Sequence, residues 1–78
     1  MITLYSKPNC VQCTATERKL VESGKRYRKV DVTEDQKAYE FVTGMGYQQV
    51  PVVVVGFEHK ELGGQHWSGY NPDMIAKL

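Results

Sequence analysis

The sequence predicts an α/β fold with elements in the order βαβαββα. Two observations carry that reading. β-Branched and aromatic stretches at Ile2–Tyr5, Tyr27–Val32 and Val52–Val55 alternate with segments of helical periodicity. Glycines at Gly24 and Gly46 stand where those helical segments must stop. The length of 78 residues sets the scale, since it allows one domain, expected to span 1–78 and to rely on one small core.

Taken in order, Ile2, Leu4 and Tyr5 read as a short buried strand closed by Ser6-Lys7-Pro8-Asn9, with Asn9 or Cys10 placed to cap the next helix. Val11 to Ser23 contains no Pro or Gly and is rich in good helix formers. Cys13, Thr16 and Leu20 share one face, flanked by Ala15 and Val21. Tyr27–Val32 reads as the second strand. Thr33-Glu34-Asp35-Gln36 then fits a capping box with two carboxylates in the first helical turn. Ala38, Phe41, Val42 and Met45 recur at helical spacing and form the expected apolar face, with Gly44 a weak point inside that helix. The four consecutive valines 52–55 suit a central strand buried on both faces. Gly56–Gln65 reads as a long or bulged hairpin, with His66-Trp67-Ser68 as its return strand. Gly69 or Asn71 precedes a last helix with Pro72 in its first turn and Met74, Ile75 and Leu78 on its apolar face.

Composition narrows the function. Ten Lys+Arg against nine Asp+Glu leave a net charge of +1, which argues against a general nucleic-acid or membrane-surface binder. The cluster Lys25, Arg26, Arg28 and Lys29 reads either as a solvated turn, the usual fate of a charge run, or as a docking patch for an acidic partner. No secretory signal is visible at the N-terminus. The longest aliphatic stretch, Val50–Val55, is far short of the roughly 18 residues of a membrane span. A cytoplasmic protein is therefore expected, and disulfides in that compartment are usually transient and catalytic.

The chain's only cysteines, Cys10 and Cys13, bracket Val11 and Gln12 where the first strand gives way to the first helix. A Cys-x-x-Cys pair inside a βαβ unit is a thioredoxin-like redox signature. The first helical turn carries unpaired N–H groups and about half a positive charge. A thiolate there is stabilised, and its pKa falls from about 8.5 toward 7 or lower. Cys10 is thus the expected nucleophile, and Cys13, one turn deeper on the buried face, the expected resolving thiol. Lys7 is placed to support the thiolate, or else simply faces water. A zinc site would need more ligands, and His59 and His66 lie seven apart, outside the usual spacing. An inert buried thiol pair is the other alternative. Pro51, from residues alone, is a proline at the start of a strand, and only proline makes a cis bond cheap.

Three segments together, "CVQC" at 10–13, "QVPVVV" at 49–54 and "HWSGYNPDMI" at 66–75, resemble NrdH redoxins, glutaredoxin-like proteins with thioredoxin-like behaviour. The resemblance runs nearly end to end. It implies a thioredoxin fold with a four-stranded mixed sheet flanked by three helices, and a cis Val50-Pro51 bond. It also implies electron donation to a class Ib ribonucleotide reductase and re-reduction by thioredoxin reductase. On this reading Cys10 and Cys13 are catalytic, and Lys7, Val11, Gln12, Val50, Pro51, Trp67, Ser68 and Gly69 contact the partner. No cofactor is expected beyond the redox-active Cys10–Cys13 disulfide, and a monomer is expected. Trp67 has a second reading as an anchor of the hairpin on the core. A glutathione-dependent glutaredoxin is the near alternative. Such a protein would show Gly-Gly followed by an acid at the start of the last helix, whereas Gln65-His66-Trp67 follows Gly63-Gly64 here.

The chain also departs from the family's pattern. Asn71 stands where the family carries an arginine, the stretch from Pro51 to Trp67 is longer, and the first strand carries no carboxylate to accept the second cysteine's proton.

Overall fold

The computed structural model describes all 78 residues, Met1–Leu78. Four strands and three helices follow in the expected order: β1 Ile2–Ser6, α1 Val11–Glu22, β2 Tyr27–Asp31, α2 Gln36–Gly44, β3 Val52–Val55, β4 His66–Ser68 and α3 Pro72–Ala76. The strands form one mixed sheet in the order β2-β1-β3-β4. β1 runs parallel to β2 and antiparallel to β3, and β4 pairs antiparallel with β3. This is the thioredoxin-like fold.

The two central strands separate two apolar layers. Residues that alternate along a strand point to opposite faces. Ile2 and Leu4 of β1 and Val53 and Val55 of β3 therefore meet Leu20 of α1, Ile75 of α3, Leu62 and Trp67 on one face. Val52 turns to the other face, where Val32 and the α2 residues Ala38 and Val42 cover it. Leu4, Leu20, Val52, Val53 and Ile75 have no accessible surface at all. Each such side chain contributes about 1.5–3 kcal/mol relative to exposure.

The helix signals are met with two corrections. α1 ends in a Schellman arrangement, with Gly24 N–H donating to Val21 O and Lys25 N–H to Leu20 O. α2 ends the same way at Gly46, whose φ of 95° a side chain would resist. Its start differs from the expected capping box. Asp35 is the N-cap, its carboxylate accepting from Ala38 N–H at 3.1 Å, and no acidic residue lies in the first turn. Thr33 instead donates its N–H and hydroxyl to Asp31 Oδ1, because the shorter reach back across the turn satisfies it first. Phe41, expected on the buried face, is half-exposed and lies against the Tyr5 ring, with centroids 5.6 Å apart. Of the α2 residues only Ala38 and Val42 are buried.

The connection 56–65 is longer than a tight hairpin but well tied. Val55 N–H donates to Gln65 O, and Gly64 N–H to Val55 O, closing its base. Leu62 plugs into the core, and His59 Nδ1 accepts from the N–H groups of Glu61 and Leu62. No helix is long and apolar enough to cross a membrane.

A polar strap joins α1 to β2. Tyr27 O–H donates to Glu17 Oε2 at 2.6 Å, and Lys29 Nζ lies 3.1 Å from Glu17 Oε1. The phenol's hydrogen bond, then Lys29, hold Glu17 below the usual carboxylate range against some loss of hydration. Desolvation, then the Glu17 carboxylate, push Tyr27 up to about 12. The signs follow from linkage. Glu17 contributes stability above its unfolded pKa that disappears as pH falls through its folded value. Tyr27 contributes stability below its ordinary pKa of about 10 that is lost as pH rises through about 12. In Glu17→Gln, the Tyr27 phenol should ionise at lower pH, read as the tyrosinate absorbance that Tyr27→Phe removes, and the acid-side loss of stability should shrink.

Candidate redox site

Topology brings three separate segments to one end of the sheet. β1 and β3 are antiparallel, with Tyr5 opposite Val52, so the residues after β1 lie beside those before β3. β4 returns antiparallel to β3, with Ser68 opposite Val52, so the residues after β4 arrive at the same end. The loop 7–10, the segment Val50-Pro51 and the turn Gly69-Tyr70 therefore converge, although Val50 is 40 residues beyond Cys10 and Gly69 a further 18 beyond Pro51 in sequence.

The loop after β1 aims the first cysteine. Asn9 adopts a left-handed conformation with φ of 57°, which asparagine tolerates better than most residues. Cys10 follows in an extended conformation as the N-cap of α1. Its Sγ accepts from Cys13 N–H at 3.2 Å, and its carbonyl accepts from Thr14 N–H at 3.0 Å. A sulfur thus fills the place of the oxygen in an ordinary N-cap. No acidic side chain sits in the first turn of α1, so nothing offsets the positive end of the helix at this atom. Cys10 is partly exposed and Cys13 buried, with 5% exposure. They are joined as a disulfide with Cα atoms 5.2 Å apart.

The other two segments close around this pair. The Val50-Pro51 peptide bond is cis, and Val50 O lies 3.8 Å from Cys10 Sγ. Pro51 is buried, and its carbonyl accepts from Gly69 N–H at 2.9 Å. Tyr70 N–H donates in turn to Gln12 Oε1 at 3.3 Å. Contacts therefore run in a closed circuit, from Cys10 to Val50, from Pro51 to Gly69 and from Tyr70 back to Gln12 between the cysteines.

The remaining expected residues are placed unevenly. Lys7 is exposed and lines a cleft of about 280 Å³ that also includes Val50, Thr33, Tyr47 and Gln49. Val11 is 85% exposed beside Cys10. Ser68 is exposed and Gly69 half-buried. Trp67 takes the second of its two expected roles, as an anchor on the core. The pleat that exposes His66 and Ser68 turns Trp67 into the core opposite Val53, so the indole anchors the return strand and offers little surface to a partner. Asn71 has a task of its own as the N-cap of α3, accepting from Met74 N–H at 3.1 Å. The histidines are engaged elsewhere: His59 Nε2 lies 3.2 Å from Leu78 O, and His66 Nδ1 lies 2.7 Å from Tyr47 Oη.

Sequence reasoning missed Tyr70 and the cleft residues Thr33, Tyr47 and Gln49. A signal existed for the last two, because residues immediately before Val50-Pro51 must border whatever that segment borders. Thr33 carried no such signal. It is presented to the cleft by the turn whose two hydrogen bonds hold the Asp31 carboxyl below the usual range.

Comparison with known proteins agrees with the geometry. The sequence profile of the glutaredoxin family matches residues 2–60. The glutaredoxin-like protein NrdH of Escherichia coli K12 is 36% identical over 77 residues, covering 99% of this chain and 86% of that protein. Its counterpart in Salmonella typhimurium is 38% identical with the same coverage. Among solved structures, the E. coli NrdH-redoxin, described as glutaredoxin-like with a thioredoxin-like activity profile, superposes with a TM-score of 0.86 over 99% of this chain and 92% of that one, at 36% identity.

Gly69 offers a direct test of the circuit. Its φ is 80°, and a Cβ there would stand 3.4 Å from Gln12 Oε1, so the cost of a side chain is conformational rather than a clash. Gly69→Ala should lower unfolding stability by about 1–2 kcal/mol in chemical denaturation.

Proposed function

The chain belongs to the glutaredoxin family, and on that premise we propose that it is a cytosolic dithiol donor of electrons to protein disulfides, those of a class Ib ribonucleotide reductase first among them, and is itself re-reduced by thioredoxin reductase. The coarser activity is that of an NrdH-like thiol-disulfide oxidoreductase. The observation that carries the finer reading is the position of Cys10 Sγ at the uncompensated N-terminus of α1, partly exposed and beside the Val50 backbone.

The roles follow from position. In the reduced protein the Cys10 thiolate attacks one sulfur of the partner's disulfide. A mixed disulfide forms, and the partner's other sulfur leaves as a thiolate. Cys13, its proton lost, then attacks Cys10 Sγ, the bond to the partner breaks, and the partner's second thiolate departs. Two electrons have passed to the partner, and Cys10–Cys13 is oxidised. Val50 meets no backbone partner in the sheet, so its N–H and carbonyl are free to align an extended partner segment beside Cys10. Val11, Gln12, Ser68 and Gly69 form the surrounding contact surface, and Lys7 adds positive charge nearby. The cysteine pair is the whole redox apparatus, and no bound cofactor enters the scheme.

Re-reduction by thioredoxin reductase is favoured over glutathione by the place of Gly63-Gly64. These glycines lie in the connection before β4, not at the start of α3, where they would hold a γ-glutamyl group. The test is a coupled assay on an oxidised ribonucleotide reductase. Turnover is expected with thioredoxin reductase and NADPH; turnover sustained by glutathione and its reductase alone would refute the assignment. In the same assay Cys10→Ser should be inactive. Cys13→Ser should accumulate a mixed disulfide with the partner through Cys10, visible on non-reducing gels, and equal trapping by both variants would reverse the roles.

A further inference from the structure

The cleft beside Val50 is built from one wall whose position depends on a residue outside the cleft. Tyr47 is fixed at its backbone by the end of α2, where its N–H donates to Val42 O at 3.2 Å. Its ring packs against the layer of Val32, Ala38, Val42 and Val52 and lines the cleft together with Lys7 and Val50. The backbone alone leaves the ring free to rotate about its side-chain torsions. His66 removes that freedom. It lies on β4 opposite Val54, on the face away from Trp67, and its Nδ1 is 2.7 Å from Tyr47 Oη. The two rings meet edge to face with centroids 5.5 Å apart. One hydrogen bond and one aromatic contact thus join the edge strand to the cleft wall, 19 residues apart in sequence.

We infer that His66 is a positioning residue that holds Tyr47 as a wall of the cleft that ends at Val50, whose carbonyl lies 3.8 Å from Cys10 Sγ, and so sets how tightly the polypeptide flanking a partner's disulfide is bound. The inference rests on the function proposed above. The chemistry of the occupant follows from the lining. Lys7 is the only charged side chain there, no carboxylate lines the cleft, and hydroxyl and amide groups of Thr33, Tyr47 and Gln49 face an apolar floor at Val42. An extended peptide with uncharged or acidic side chains next to its cysteines suits this lining, and a basic one does not. A small disulfide that ends at its own sulfur substituents reaches Cys10 without entering the cleft. His66 acts on the grip and leaves the sulfur exchange alone.

The test compares two oxidants of the reduced protein: a disulfide-closed peptide of about ten residues with Asp and Ser beside its cysteines, and hydroxyethyl disulfide. His66→Ala should raise KM for the peptide about three- to tenfold, the scale of one lost hydrogen bond, with kcat unchanged. Its rate with hydroxyethyl disulfide should stay within twofold of the parent's. His66→Asn, which keeps a polar atom near the place of Nδ1, should recover most of the peptide KM. Tyr47→Phe, which keeps the ring and loses only the hydroxyl, should raise the peptide KM comparably. The double variant should then lose no more than either single one. An unchanged peptide KM in His66→Ala, an equal loss with both oxidants, or additive losses in the double variant would overturn the inference while leaving the proposed function standing. Failure of the parent protein to reduce either disulfide would instead remove the proposed function, and the inference with it.

Discussion

A sulfur atom used as a helix N-cap is the constraint on which the rest of this protein depends. The first amides of any helix need acceptors, and Ser, Thr, Asp and Asn usually supply them with oxygen. Here Cys10 Sγ takes the N–H of Cys13, and the charge separation along α1 is left unopposed by any acid in its first turn. The amide that caps the oxidised pair is positioned to stabilise the sulfur as an anion once the pair is reduced. Capping and reactivity therefore have one cause. The same geometry sets Cys13 one turn inward, where it is shielded from solvent but within a covalent bond's reach of its mate.

A reactive sulfur is useful only if a partner can be presented to it, and that presentation comes from sheet topology. Antiparallel pairing of β3 with both β1 and β4 gathers one chain end from each strand at the same edge. The hydrogen bond from Gly69 to Pro51 and the one from Tyr70 to Gln12 then lock these segments to one another. Each bond alone contributes about 0.5–1.5 kcal/mol. Because they close a circuit, displacement of any one segment is opposed by both neighbours. The Val50 backbone is left without a strand partner beside the sulfur.

Two features of the chain fall outside this circuit. The connection 56–65 folds on itself through His59 and inserts Leu62 into the core on the side of α1 and α3. Asn71 caps α3 through a short side chain that accepts from Met74 N–H, a role a guanidinium could not fill. Both features lie on the flanks of the sulfur pair.

The order of elements, the buried valine strand, the N-terminal position of the cysteine pair and its inward-facing second member were all legible in the residues. They rest on local physics: side-chain periodicity, turn formers and the electrostatics of a helix end. The resemblance to NrdH redoxins added the cis bond at Val50-Pro51, which residues alone left open. What sequence reading misplaced or left open was decided by contacts made in the folded chain, some near in sequence and some distant. The cap of α2 moved from Thr33 to Asp35 because Asp31 captured Thr33, and of the two roles expected for Trp67 strand pairing selected the inward one by fixing which way its side chain points. The cleft beside Val50 was signalled only by the nearness of Tyr47 and Gln49 to Val50-Pro51, and the link between Tyr47 and His66 not at all, since the other parts come from α2, β4 and the segments after β1 and β2. A sequence by itself settles what each segment prefers; only the folded sheet, by setting register and pleat, decides which of those segments meet.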